Sequence, residues 1–143
     1  MLRGRFGNTT TAPYLEAYVS FPRLGHRGYV SFLVDTGADG TVLMPTDSKK
    51  LGVNFRSLRN PISSQGVGGI SVGFNEQTVL GFSNGRYVYS YLLDIELAAP
   101  TKNNQRLPSL LGRDILHKWR FVMEYRKGHA IFTPRRWDLR IKL

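Results

Sequence analysis

The sequence predicts a mostly β domain, a sandwich or a barrel, with helix confined to short pieces. Three observations predict it. Strand-length runs of β-branched, aromatic and aliphatic residues recur along the chain, separated by Gly, Pro and Asn turns. An Asn84-Gly85 pair sits between two such runs, as in a tight hairpin. Near the C-terminus, convincing helical spacing occurs only over residues 113–119, where Ile115 and Trp119 lie four apart.

Each element follows from its local pattern. Residues 1–11 read as a flexible N-terminal tail. Residues 14–21 alternate well enough for a half-buried strand, and Pro22 to Gly28 supplies a turn. Residues 29–34 end in Phe32-Leu33-Val34 and read as a buried strand. Residues 41–44 are a second apolar run, and Pro45-Thr46-Asp47 resembles a helix start closed by Gly52. Residues 60–73 are loop-like and glycine-rich, flanked by apolar segments. Residues 87–97 form the longest strand candidate. Residues 99–108, polar with two prolines, read as a surface loop. After the helical stretch, residues 121–125 and 130–132 flank a turn at Lys127-Gly128 and make a last hairpin. The expected organisation is a tail over 1–11, one domain over 12–134 and a basic tail over 135–143.

Composition bounds what such a domain can do. The chain has 143 residues, 41% hydrophobic and 21% charged, enough for a self-sufficient core. It has no cysteine, which excludes disulfide scaffolds, thiolate zinc sites and thiol catalysis. The net charge of +10 raises anionic partners, but it is unevenly placed. Residues 32–112 hold seven basic and six acidic residues, whereas 113–143 hold nine basic and three acidic. No signal-like run and no membrane-length apolar stretch is visible, so a soluble, cytoplasmic protein is expected if this is the full chain.

One segment departs from ordinary strand-and-turn grammar. Phe32-Leu33-Val34-Asp35-Thr36-Gly37-Ala38-Asp39-Gly40-Thr41-Val42-Leu43 places an acid directly after a buried strand. Burying a carboxylate is costly, and chains accept that cost mainly where the acid is useful. A calcium loop starting at Asp35 fails, because Gly37 occupies a ligand position and Thr46 stands where a bidentate Glu is required. The glycine run Gly66-Val67-Gly68-Gly69 lacks the spacing of a dinucleotide loop and the Lys of a phosphate loop. His26, His117 and His129 have no metal-ligand spacing. No metal or cofactor is implied.

Asp35-Thr36-Gly37-Ala38-Asp39-Gly40-Thr41-Val42-Leu43 resembles the active-site strand and turn of the retropepsin-like aspartic proteases. Leu110-Leu111-Gly112-Arg113-Asp114-Ile115-Leu116 resembles the segment that opens that family's C-terminal helix, and Gln65 to Ile70 falls where the family has a glycine-rich flap. The resemblance covers roughly residues 13 to 134 and is nearer to cellular and bacterial single-domain members than to viral ones. No arginine lies in residues 8–13, and Gly40 stands where many viral enzymes have a second acid.

The resemblance implies a closed-barrel-like fold with one short C-terminal helix, active as a twofold homodimer on peptide or protein substrates. It assigns catalysis to Asp35, Thr36 and Gly37, with the threonine hydroxyl bonding across the dimer axis and the glycine amide approaching the carboxylate. Ala38, Asp39 and Gly40 would line the groove, and Gly66, Val67, Gly68 and Gly69 would form the flap. Val42 and Leu110 would shape apolar subsites or simply pack the core. Arg113 would support the turn through a buried pair with Asp39. The chain holds a single Asp-Thr-Gly, so the second catalytic aspartate must come from a second chain. Two other readings stay open: a catalytically silent dimerisation or peptide-binding module, and a basic nucleic-acid-binding module using Arg135, Arg136, Trp137, Arg140 and Lys142. Nucleic acid is not the expected partner, since these residues read first as a solvated or dimer-contacting tail.

Overall fold

A computed structural model describes residues 1–66 and 69–143. Among these, the chain runs through β1 (Leu2–Arg3), β2 (Arg5–Phe6), β3 (Pro13–Phe21), β4 (His26–Val34), β5 (Val42–Leu43), α1 (Pro45–Lys50), the 3-10 turn η1 (Phe55–Ser57), β6 (Asn60–Gly66), β7 (Gly69–Ser83) and β8 (Tyr87–Ala98). It ends with β9 (Leu110–Leu111), α2 (Arg113–Leu116), β10 (Trp119–Glu124), the 3-10 turn η2 (Tyr125–Lys127), β11 (His129–Pro134) and β12 (Leu139–Lys142).

Two sheets result. The smaller has the order β1-β11-β10. The larger runs β12-β8-β5-β9-β4-β3-β7-β6, and β7 pairs with β8 as well, so the hydrogen-bonded path returns on itself. Alternation drives burial: Ala17, Val19 and Phe21 of β3 point inward with Val30, Phe32 and Val34 of β4. The two sheets meet through aromatic rings. Trp119 of β10 packs edge-on against Phe82 at 4.8 Å and Tyr91 at 6.0 Å, and against Phe132 of β11 at 5.5 Å. Its indole N–H donates to the Tyr91 hydroxyl at 2.7 Å, and that hydroxyl donates to the Arg136 carbonyl at 2.7 Å.

The fold corrects several expectations. Residues 1–11 are not a loose tail: Leu2 is fully buried, β1 pairs with β11 and β2 pairs with β3. Residues 135–143 are not a free tail either, because β12 adds to the edge of β8 from Leu139↔Ser90 to Lys142↔Tyr87. Within that segment Arg140 lies over the rings of Tyr87 at 4.7 Å and Trp137 at 5.1 Å. Residues 60–66 and 69–73, loop-like by local pattern and a flap hairpin by resemblance over 65–70, are strands of a β6–β7 hairpin; cross-strand pairing supplies what their glycine and serine lack in propensity. The C-terminal helix stops at Leu116, and Trp119 already belongs to β10. No helix among the described residues is long and apolar enough to cross a membrane.

Candidate active site

The two sequence blocks meet in the middle of the large sheet. β9 is inserted between β4 and β5, parallel to β4 (Leu33↔Leu110, Val34↔Leu111) and antiparallel to β5 (Val42↔Leu110). The chain leaves β4 at Val34, turns through residues 35–41 and re-enters as β5 on the far side of β9. Main-chain bonds tie the turn down. The Leu33 amide donates to Ser109 O at 2.8 Å, the Asp35 amide to Leu111 O at 3.0 Å, and the Arg113 amide to Ala38 O at 2.9 Å.

Inside the turn, the Gly37 amide donates to Asp35 Oδ1 at 2.9 Å. A Cβ on residue 37 would lie 3.2 Å from that same oxygen, so glycine is what permits the approach. Asp35 is half-buried in the single chain, with Thr36 and Gly37 exposed beside it. One face of the turn is therefore open.

Arg113, at the start of α2, reaches back over the turn. Its Nη1 donates to the Thr36 carbonyl at 2.7 Å, and its Nη2 pairs with Asp39 Oδ1. The expected Asp39–Arg113 pair is formed, but it is not buried: the Asp39 side chain is 96% exposed. The turn carries its acid on the outer side, where no described residue of the single chain covers it. Val42 and Leu110 are half-buried on adjacent strands, Ala38 and Gly40 are half-buried in the turn, and Gly66 and Gly69 pair at the end of the β6–β7 hairpin. Val67 and Gly68 of the expected flap lie outside the described residues.

Four supporting residues were not assigned from the sequence. Thr41, 1% exposed, donates its hydroxyl to Asp114 Oδ1 at 2.7 Å, and its amide donates to Asp114 Oδ2 at 2.9 Å. The Gly112 amide in turn donates to the Thr41 hydroxyl at 3.2 Å. Gly112 packs directly on Gly40: a Cβ there would stand 2.4 Å from the Gly40 carbonyl carbon and oxygen. Ser109, fully buried, accepts from the Met44 amide at 2.9 Å and donates to Asp47 at 2.7 Å, pinning α1 to β9. Asp114 sits inside the Leu-Leu-Gly-Arg-Asp block, but its task depends on a threonine 73 positions earlier.

An aspartyl protease family model matches residues 24–89, which include the Asp35 turn and the β6–β7 hairpin. A retropepsin-like aspartic protease from Rickettsia conorii superposes with a TM-score of 0.59 at 19% identity, over 91% of this chain and 95% of that one. The EIAV protease in complex with the inhibitor HBY-793 superposes with a TM-score of 0.53 at 23% identity, over 78% of this chain and 90% of that one. No curated protein sequence matches significantly.

Proposed function

We propose that this chain, whose residues 24–89 match an aspartyl protease model and whose fold is like that of retropepsin-like proteases, cuts peptide bonds as a homodimer in which two copies of Asp35 share one catalytic water. The observation that carries this reading is the Asp35 turn, with its carboxylate held by the Gly37 amide and its outer face open. The other aspartates in the chain have other places. Asp114 is committed to Thr41, Asp47 to Ser109, Asp138 to the Leu92 amide and Asp39 to Arg113, while Asp94 is exposed on β8. A partner for Asp35 therefore comes from a second copy, brought opposite by a twofold axis.

Two carboxylates about 3 Å apart cannot both ionise, so the pair holds one proton and titrates as a unit. The ionised member takes a proton from the water as it attacks the scissile carbonyl carbon. The protonated member donates toward the carbonyl oxygen. The resulting tetrahedral species collapses as a proton passes to the leaving amine. In this reading the Gly37 amide keeps each carboxylate in place, and Thr36, exposed in the single chain, bonds through its hydroxyl to the partner's turn.

In this reading Ala38, Asp39 and Gly40 line the peptide groove, with Val42 and Leu110 on its walls. The β6–β7 hairpin covers the peptide, and Ile70 (74% exposed) and Val72 (53% exposed) offer apolar contact that the single chain leaves in solvent. Asp35→Asn tests the mechanism: cleavage of a peptide library should vanish while the circular dichroism spectrum and sedimentation behaviour stay as in the wild type. Retained cleavage by that variant would refute it.

A further inference from the structure

The β7 leg of the β6–β7 hairpin and the turn that leads into β6 converge on one cation. Glu76 lies on β7 one residue below the last pairing with β6, Asn60↔Asn75, and is 3% exposed. Its carboxylate accepts two bonds from the Arg23 guanidinium, Nη2 to Oε1 at 2.5 Å and Nε to Oε2 at 3.2 Å. The same Nη2 donates to the carbonyl of Ser57 at 3.0 Å. Ser57 closes η1, the turn that leads into β6. Arg23 itself sits between β3 and β4, on the body of the domain. The Glu76 bond holds its guanidinium above the usual arginine range.

The two legs are held unequally. β7 pairs with β8 from Gly73↔Ala98 to Ser83↔Val88 and also with β3. Among the described residues, β6 pairs with β7 alone. Its lead-in rests on Leu58, which is buried, on Phe55, whose ring lies tilted against that of Phe74 at 6.5 Å, and on the Arg23–Ser57 bond. A bidentate fork fixes direction as well as distance, which a point charge does not.

We propose that Arg23 is a positioning residue for the cleavage reaction: by joining Glu76 to Ser57 it sets the angle at which the β6–β7 hairpin leaves the body, and so governs how tightly a peptide is held. This rests on the reading of the hairpin as the cover of the peptide groove. Arg23→Met alone strands a buried carboxylate and endangers the fold. The decisive variant is therefore Arg23→Met with Glu76→Met, which removes both charges and keeps apolar volume.

Amide hydrogen exchange on the full chain is read first. Exchange in β6 should speed about tenfold, the size of one lost net hydrogen bond, while β3 and β8 keep their protection. Peptide kinetics should show KM raised about tenfold with kcat within about twofold. Arg23→Lys, which keeps the charge and loses the fork, should fall between. Unchanged β6 exchange and unchanged KM in a folded double variant would overturn the proposal. So would equal loss of protection in β3, β6 and β8, which marks a purely structural pair. A wild-type chain that cuts no peptide counts against the endopeptidase reading, and the exchange result still decides the clamp.

Discussion

Among the described glycines, Gly112 is the one whose replacement by alanine should damage the site most. The added Cβ would stand 2.4 Å from both the carbonyl carbon and the oxygen of Gly40 and 2.9 Å from its Cα. Comfortable contact needs roughly 3.5 Å, so the two backbones must part by about 1 Å. Neither can part freely. Gly40 precedes Thr41, whose amide and hydroxyl are bonded to Asp114, and Gly112 follows Leu111, whose carbonyl holds the Asp35 amide. Overpacking against fixed backbone falls at the upper end of the usual range, about 3 kcal/mol. For a domain of this size that corresponds to a fall in Tm of roughly 10 °C. Because the strain passes through Leu111 to Asp35, cleavage at a temperature where the variant is still folded should drop by more than tenfold. Thermal melts followed by circular dichroism, paired with peptide cleavage, measure both. Gly25→Ala is the comparison: its φ of +72 costs about 1 kcal/mol in backbone strain, but no atom lies within 4 Å. If Gly112→Ala melts no lower than Gly25→Ala and cleaves at the wild-type rate, the Gly40–Gly112 approach does not position the site.

Other outcomes follow from the same geometry. Thr41→Val removes the hydroxyl that links Asp114 to the Gly112 amide, and urea titration should show a loss of about 1–3 kcal/mol; an unchanged midpoint would remove Thr41 from the support of the site. Specific activity should fall on dilution through the dimer dissociation constant, checked by sedimentation at the same concentrations; a constant rate from a proven monomer contradicts the shared dyad. Burial pushes the Tyr91 phenol up to about 12, against the smaller opposing effect of the Trp119 hydrogen bond. The fold therefore favours the neutral phenol. That contribution is complete below the unfolded pKa near 10 and is lost as pH rises from there through about 12, on the order of 2–3 kcal/mol in all. Tyr91→Phe should show a shallower loss of stability between pH 9.5 and 11.5 than the wild type by denaturant titration, and equal slopes would disprove the assignment.

The sequence by itself determined the β class, the Asp35 turn and the β7–β8 turn at Asn84-Gly85, while the family resemblance implied the pairing of Arg113 with Asp39. The first three are written in short runs of residues: an acid after an apolar strand, a glycine two residues on, an Asn-Gly between strands. It also implied a missing second aspartate, because a chain with one Asp-Thr-Gly supplies one carboxylate. The tertiary structure decided what no local pattern encodes. Residues 1–11 and 135–143 look like tails because their strands are short and lack alternation, and they become ordered only by pairing with β11, β3 and β8. The exposure of Asp39 depends on which side of the turn faces the barrel. The Thr41–Asp114 link, the Gly40–Gly112 contact and the Arg23–Glu76–Ser57 junction join residues far apart in the chain. Long-range contacts of this kind leave only single unremarkable residues in the sequence, and their roles become legible only once the strands that carry them are side by side.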